Sequence, residues 1–374
     1  MTAGTQERGS GSRRPEPSPA AAGLDRLRAA VTEALTDFLD RQRHALAAMD
    51  PALVPVVDEV AALAEGGKRL RPAFAYWGWR GASGGRGEDD GTVLRAVAAL
   101  EFVHASALVH DDVMDGAETR RGRPATHIGF AARHGGADLS GDGVTFGTGA
   151  AILVGDLALV WSDELLGDSG LSPAALTRAR TVWDTMRTEV TAGQYLDLLR
   201  AAGGLPGPQG ALTVARYKSA GYTVQRPLQL GAAIAGAGAE VAEACTAIGL
   251  PLGEAFQLRD DVLGVFGDPA VTGKSADDDF REGKRTLLVA LAEERADEAG
   301  RGLLDRVLGN ADAGPEEFDA LRRLLETTGA RARVEERIAD GTATARAAIA
   351  AAPLTADARA ALDALAVAAT SRTA

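Results

Sequence analysis

Three carboxylates stand close together at Asp111, Asp112 and Asp115. Positions four apart share a helix face, so Asp111 and Asp115 would project together with Asp112 beside them. The apolar run Leu100–Val109 precedes them, which places the cluster at a helix C-terminus. Negative charge is disfavoured there by the helix dipole, and three neighbouring carboxylates repel one another. A solvated acidic face is the simple reading. A divalent cation is the chemical one, because magnesium is commonly held by one or two carboxylates plus substrate phosphates. Two dense basic runs flank the cluster: Gly66–Pro72, with Lys68, Arg69 and Arg71, and then Arg120, Arg121 and Arg123. Such runs suit phosphate oxygens. A second acidic pair, Asp260-Asp261, follows the apolar run Leu252–Leu258. Beyond it come Asp268, Lys274, Asp277–Asp279 and Gly283-Lys284-Arg285-Thr286. The near-duplicate arrangement suggests two helices facing each other across metal ions that chelate one diphosphate.

The elements that must position these groups read as helices. Leu24, Leu27, Ala30, Val31, Leu35 and Phe38 recur at helical spacing. The rest is rich in Ala, Leu, Arg and Glu, all good helix formers, and alternating β-branched runs are nearly absent. Residues 1–22 hold too little apolar surface to offset ordering entropy and read as a disordered tail; residues 23–370 read as one all-α domain. Gly81–Gly91, Gly135–Gly149 and Gly203–Gly210 read as loops, the second preceding an apolar helix Ala150–Leu166. Residues 341–369 read as closing helices.

Composition narrows the partners. Of 374 residues, 40 are Lys or Arg and 52 Asp or Glu, a net charge of −12 that argues against nonspecific nucleic-acid binding. The single cysteine, Cys245, excludes an internal disulfide framework, and five histidines without HExxH spacing argue against zinc. The most apolar stretch, Ala150–Trp161, is broken by Asp156, so no transmembrane helix is expected. Arg13 and Arg14 are followed by Pro and Ser instead of an apolar region, so no signal peptide is expected, and a cytoplasmic location is. No basic amphipathic stretch predicts a membrane anchor.

Gly66–Pro72 (GGKRLRP), His110–Asp115 (HDDVMD) with Arg120-Arg121-Gly122, Gly155–Ala158, Gln257–Asp261 and Gly273–Thr286 occur in this order. The combination resembles the trans-isoprenyl diphosphate synthases (polyprenyl synthetases) over residues 24–365, and among them the bacterial geranylgeranyl diphosphate synthases. The resemblance implies an all-α fold of antiparallel helices around a central cavity, a homodimer, and head-to-tail condensation of an allylic diphosphate with isopentenyl diphosphate. It implies that Asp111 and Asp115 ligate Mg²⁺ with Asp112 supporting, and that Asp260 ligates from the opposite side, with two or three ions per site. It implies that Lys68, Arg71, His104 and Arg121 hold the diphosphate of isopentenyl diphosphate. Arg120, Lys218, Lys274 and Lys284 would hold the allylic diphosphate, and Gln257 would sit near the reacting carbons. Gly264 departs from the family's second motif, where Asp is frequent, which leaves the metal stoichiometry open.

Product length is a question of depth. Upstream of Asp111 stand Ala107, Ser106 and Val103, none of them aromatic. Their modest size argues against a strict stop at C10 or C15 and favours C20 or longer; the resemblance to bacterial geranylgeranyl diphosphate synthases points to C20, with farnesyl or longer products as alternatives. A class I terpene cyclase would lack the Gly66–Arg71 site, and a silent regulatory subunit would lack some of the aspartates present here.

Overall fold

The computed structural model describes residues 19–268, 276–310 and 312–371, with side chains from residue 23 onward. Residues 1–18 of the expected tail, and Lys274, lie outside this range. Helix α1 (Pro19–Met49) starts four residues before the expected domain boundary, because Pro is tolerated in a first turn and the following alanines are strong helix formers. Next come α2 (Val54–Ala64), α3 (Leu70–Ser83) and α4 (Asp90–Asp115). Helix α4 is the central element. It is apolar on nearly every side and packs against α1, α3 and α6 (Gly143–Gly167), as expected of a core helix. Phe38 of α1, Phe102 of α4 and Trp161 of α6 form an aromatic cluster with ring centroids 5.3–6.5 Å apart. Helix α4 stops at Gly116, whose φ of 65° makes it a left-handed C-cap.

A short hairpin follows, β1 (Thr119–Arg120) and β2 (Arg123–Pro124). Arg121 and Gly122 form its turn with φ of 54° and 73°, the positive values that tight two-residue hairpins demand. Helix α5 (Thr126–Gly136) leads to α6. Here the expected loop over 135–149 is corrected: α6 begins at Gly143. Asp142 caps it by accepting the Thr145 amide at 2.7 Å. Its glycines also serve packing, since a Cβ on Gly147 would stand 2.8 Å from the Ala131 backbone nitrogen and closer still to the His127 carbonyl. Thus lengthened, α6 joins α4 as a helix long and apolar enough to cross a membrane by length and composition. Helix α4 is 72% buried over that window, but α6 only 28%.

Helices α7 (Pro173–Ala201) and α8 (Gly207–Val214) run into a π-helical segment, Ala215–Gln225, continued by α9 (Arg226–Ala235) and the long α10 (Ala239–Phe266). The short α11 (Asp278–Arg281) precedes α12 (Leu287–Arg295), α13 (Glu298–Val307), α14 (Pro315–Thr327), α15 (Ala330–Ala351) and α16 (Ala356–Thr370). Two hydrophobic cores result. The larger joins α1–α7, the π-helical segment, α9, α16, the N-terminal part of α10 and the C-terminal part of α15; the smaller joins α8, α11–α14 and the N-terminal part of α15 to the C-terminal part of α10. Cys245 is buried in the larger core.

Candidate active site

A cavity of about 1000 Å³ opens between α4, α7, the π-helical segment and α10. On the first wall, Lys218 Nζ donates to Asp111 at 2.8 Å and to Asp197 at 2.6 Å, and Gln194 Nε2 donates to Asp111 at 2.9 Å. Burial pushes the Asp111 carboxyl up, but Lys218, Lys284 and Arg120 together outweigh it and the net shift is down. Asp115 lies one turn further along α4, outside the cavity lining. Burial and the Asp111 charge raise it to about 6. Asp112 is fully buried and turned away: Arg120 Nε donates to it at 2.8 Å. The guanidinium of Arg120 is held by Asp112 and also reaches Asp111 at 4.0 Å, so it stands beside the acidic wall without lining the cavity itself.

The opposite wall is α10. Gln257 Nε2 donates to Asp261 at 2.7 Å, and burial drives Asp261 up to about 7. Asp260 and Gly264 also line the cavity. The glycine makes room for another acid: a Cβ at position 264 would stand 2.8 Å from Asp279 Cγ. Lys284 donates to Asp279 at 3.2 Å and to Glu282 at 2.5 Å. Burial works against the Lys284 charge, yet Asp279, Glu282 and Asp115 together raise its pKa.

The third region is basic. Lys68, Arg71, His104 and Arg121 all line the cavity. Arg71 donates to Tyr222 Oη at 2.5 Å and Thr223 Oγ1 at 3.1 Å, with its guanidinium 4.2 Å from the Tyr222 ring centroid. His104 Nδ1 meets the same Tyr222 hydroxyl at 3.1 Å. Burial, then Arg71 and Arg121, hold His104 well below the usual imidazole range, so it is neutral. Arg121 Nη1 donates to the Leu63 and Glu65 carbonyls at 3.2 Å. Arg69, at φ 51°, turns inward to Glu101 at 2.6 Å, so Lys68 and Arg71 are displayed on either side of it.

The π-helical segment supplies Lys218, Tyr222 and Thr223 at once. π-helical geometry is rare and frequently falls at functional sites, and here it extends over eleven residues. Three glycines hold it. Added Cβ atoms would stand 2.7 Å from Lys218 Cα at Gly193, 2.9 Å from the Gln225 nitrogen at Gly249 and 2.6 Å from Ala220 Cα at Gly253. Below Asp111, Val103, Ser106 and Ala107 line the cavity with Leu159 and Val190.

The structure thus gathers Asp111, Asp260, Gln257, Lys218, Lys284, Lys68, Arg71, His104 and Arg121 at one cavity. Sequence reasoning missed Tyr222 and Thr223, and it noted Asp279 only within the acidic run Asp277–Asp279, with no role assigned. Asp197 joins the lining as well.

The acidic walls suit a divalent cation. Among the described residues, no three acidic or imidazole side chains converge as a ready-made metal cage. The donors are carboxylate oxygens; burial pushes Asp115 and Asp261 up and neighbouring carboxylates add to it, and closely set negative charge of this kind is what a hard cation relieves.

Comparison with known proteins agrees with this geometry. Residues 56–325 match the Polyprenyl synthetase family. A geranylfarnesyl diphosphate synthase from Aeropyrum pernix is 35% identical over 234 residues, 62% of this chain and 68% of that one. A geranylgeranyl diphosphate synthase from Methanosarcina mazei is 32% identical over 269 residues, 71% of this chain and 73% of that one. The crystal structure of geranylgeranyl pyrophosphate synthase from Corynebacterium glutamicum, complexed with isoprenyl diphosphate and magnesium, superposes with a TM-score of 0.90. It is 42% identical and covers 94% of this chain and 99% of its own.

Proposed function

This chain belongs to the polyprenyl synthetase family, and on that premise we propose that it is a trans-prenyltransferase making geranylgeranyl diphosphate (C20). The observation that carries the reading is the presence of two anion-binding regions on one cavity that continues into an apolar recess. Lys68, Arg71, neutral His104 and Arg121 take the diphosphate of isopentenyl diphosphate. Lys218 and Lys284 take the allylic diphosphate, with Lys274 assigned by family resemblance. Magnesium, as two or three ions, would be held by Asp111, Asp115 and Asp260, and when bound it neutralises charge on the departing diphosphate.

The allylic C1–O bond breaks and its electron pair leaves with the diphosphate. Charge grows on the departing oxygens, so Lys218 and Lys284, fixed in advance, stabilise the transition state more than the ground state. The cation left behind is sheltered from water by Val103, Ala107, Leu159 and Val190. The double bond of isopentenyl diphosphate attacks C1, and a proton then passes to the released diphosphate. Gln257, oriented by its bond to Asp261, presents its amide to the reacting carbons.

The chain is also proposed to form a homodimer, a reading that the surface of α5 and α6 supports. Ile128, Val144, Phe146, Ile152, Leu153 and Val160 are exposed there, an apolar patch of the kind that marks a protein interface.

The test is product length. The purified chain is given Mg²⁺ and isopentenyl diphosphate with dimethylallyl, geranyl or farnesyl diphosphate, and the dephosphorylated products are weighed. A C20 alcohol from all three primers is expected. A C15 stop would overturn the C20 assignment, and no elongation from any primer would overturn prenyl transfer.

A further inference from the structure

Helix α7 lines the cavity through Val190, Thr191, Gln194, Asp197 and Arg200. Gln194 bonds Asp111 directly, and Asp197 reaches it through Lys218. Arg200, in the last turn, serves the other wall. It is 4% exposed. Its Nε donates to the Arg285 carbonyl at 2.5 Å, and its Nη1 donates to the Gly207 carbonyl at 3.1 Å and to that of Leu205. Among the described residues no carboxylate is bonded to it. Buried guanidinium groups ordinarily carry a carboxylate partner, and carbonyls satisfy the N–H groups without cancelling the charge.

The Arg285 carbonyl belongs to the segment between α11 and α12, which has no helix of its own. That segment carries Lys284, whose charge is felt by Asp111 and Asp115 across the cavity. Arg200 therefore links the chain beside Lys284 to the turn that follows α7. The same helix thus braces both walls, one through Gln194 and Asp197, the other through Arg200.

We propose that Arg200 is a positioning residue: by clamping the Arg285 carbonyl to the α7–α8 turn, it sets where Lys284 meets the allylic diphosphate. The inference rests on the prenyl-transfer reading above.

The experiment compares the full-length chain with Arg200→Ala and Arg200→Lys. With the allylic substrate varied, Arg200→Ala should lose about 100-fold in kcat, the loss expected for a misplacement of about 1 Å, and its KM should rise. The KM for isopentenyl diphosphate should stay unchanged, because Lys68, Arg71, His104 and Arg121 sit on other elements. Arg200→Lys keeps the charge without the planar fork and should remain slow. Added guanidinium ion should recover part of the Arg200→Ala rate. Backbone amides over residues 283–288 should exchange faster in Arg200→Ala, with those of α4 and α10 unaltered. Unchanged kinetics, full rescue by lysine, or a uniform rise in exchange with both KM values shifted together would each overturn the proposal. If the unaltered chain elongates nothing, the prenyl-transfer reading fails on its own, and the exchange measurement still decides whether Arg200 clamps this segment.

Discussion

Gly193→Ala probes the seat of the π-helical segment. A methyl at this position would stand 2.5 Å from the Tyr217 carbonyl carbon and 2.7 Å from Lys218 Cα. Favourable carbon–carbon contact begins near 3.5 Å, so α7 and the π-helical segment must part by about 1 Å. Both atoms struck are backbone and cannot rotate aside. Overpacking of this kind costs about 1–3 kcal/mol, and the better helix propensity of Ala returns about 1 kcal/mol, so the fold should survive. The site should not. Lys218 Nζ bridges Asp111 at 2.8 Å and Asp197 at 2.6 Å, and neither bond tolerates that displacement. A misplacement of about 1 Å costs about 100-fold in rate. The assay is kcat with isopentenyl and allylic diphosphates, beside a thermal melt that confirms folding. Gly302→Ala is the control, since a Cβ there meets nothing within 4 Å. A Gly193→Ala enzyme with unchanged kcat would refute the claim that this close approach sets the position of Lys218.

Three further outcomes are expected. Ala107→Phe places an aromatic ring in the recess one turn below Asp111, and mass spectrometry should show products shortened to C15 or C10 with the condensation itself retained. Leu153→Glu puts a charge in the exposed face of α6, and sedimentation should report monomer where the unaltered chain sediments as a dimer. His104 is neutral in the folded chain because burial and neighbouring arginines depress its pKa. Below about pH 6.5 the unfolded chain binds a proton there that the folded chain refuses, so stability falls with acidification at up to about 1.4 kcal/mol per pH unit. Denaturant melts of the chain and of His104→Phe over pH 5–7 should differ by this slope.

The acidic walls were legible because their signal is local: carboxylates four apart or adjacent, each following an apolar run. The helical class was legible from periodicity over Leu24–Phe38. Partner choice across the chain was not. Nothing near Asp112 says that Arg120, eight residues on in the first strand of the hairpin, will fold back and cap it. Tyr222 and Thr223 carry no motif of their own; they matter because a π turn aims them at Arg71, some 150 residues away. Glycines misled for a related reason. The run Gly135–Gly149 suggests a loop when read for flexibility, whereas Gly147 is there to let two helices touch. Gly264 suggests a missing ligand, yet its empty space is filled by the Asp279 carboxylate from another element.

Helix α10 belongs to both hydrophobic cores, Cys245, Ile248 and Leu252 to the larger and Leu258, Val262 and Val265 to the smaller. The change of allegiance falls between Leu252 and Leu258, just ahead of Asp260 and Asp261, so the cavity lies along a seam between two blocks of core. Such blocks open at different free-energy cost, and the smaller one opens first when it carries less buried surface. A prenyltransferase whose product is a diphosphate with a long hydrocarbon tail, as proposed above, must let that tail out without surrendering its main core. A seam provides this: the block bearing Lys284 and Asp279 can loosen as a unit, the diphosphate grip relaxes with it, and the walls beneath Asp111 keep their shape for the next turnover.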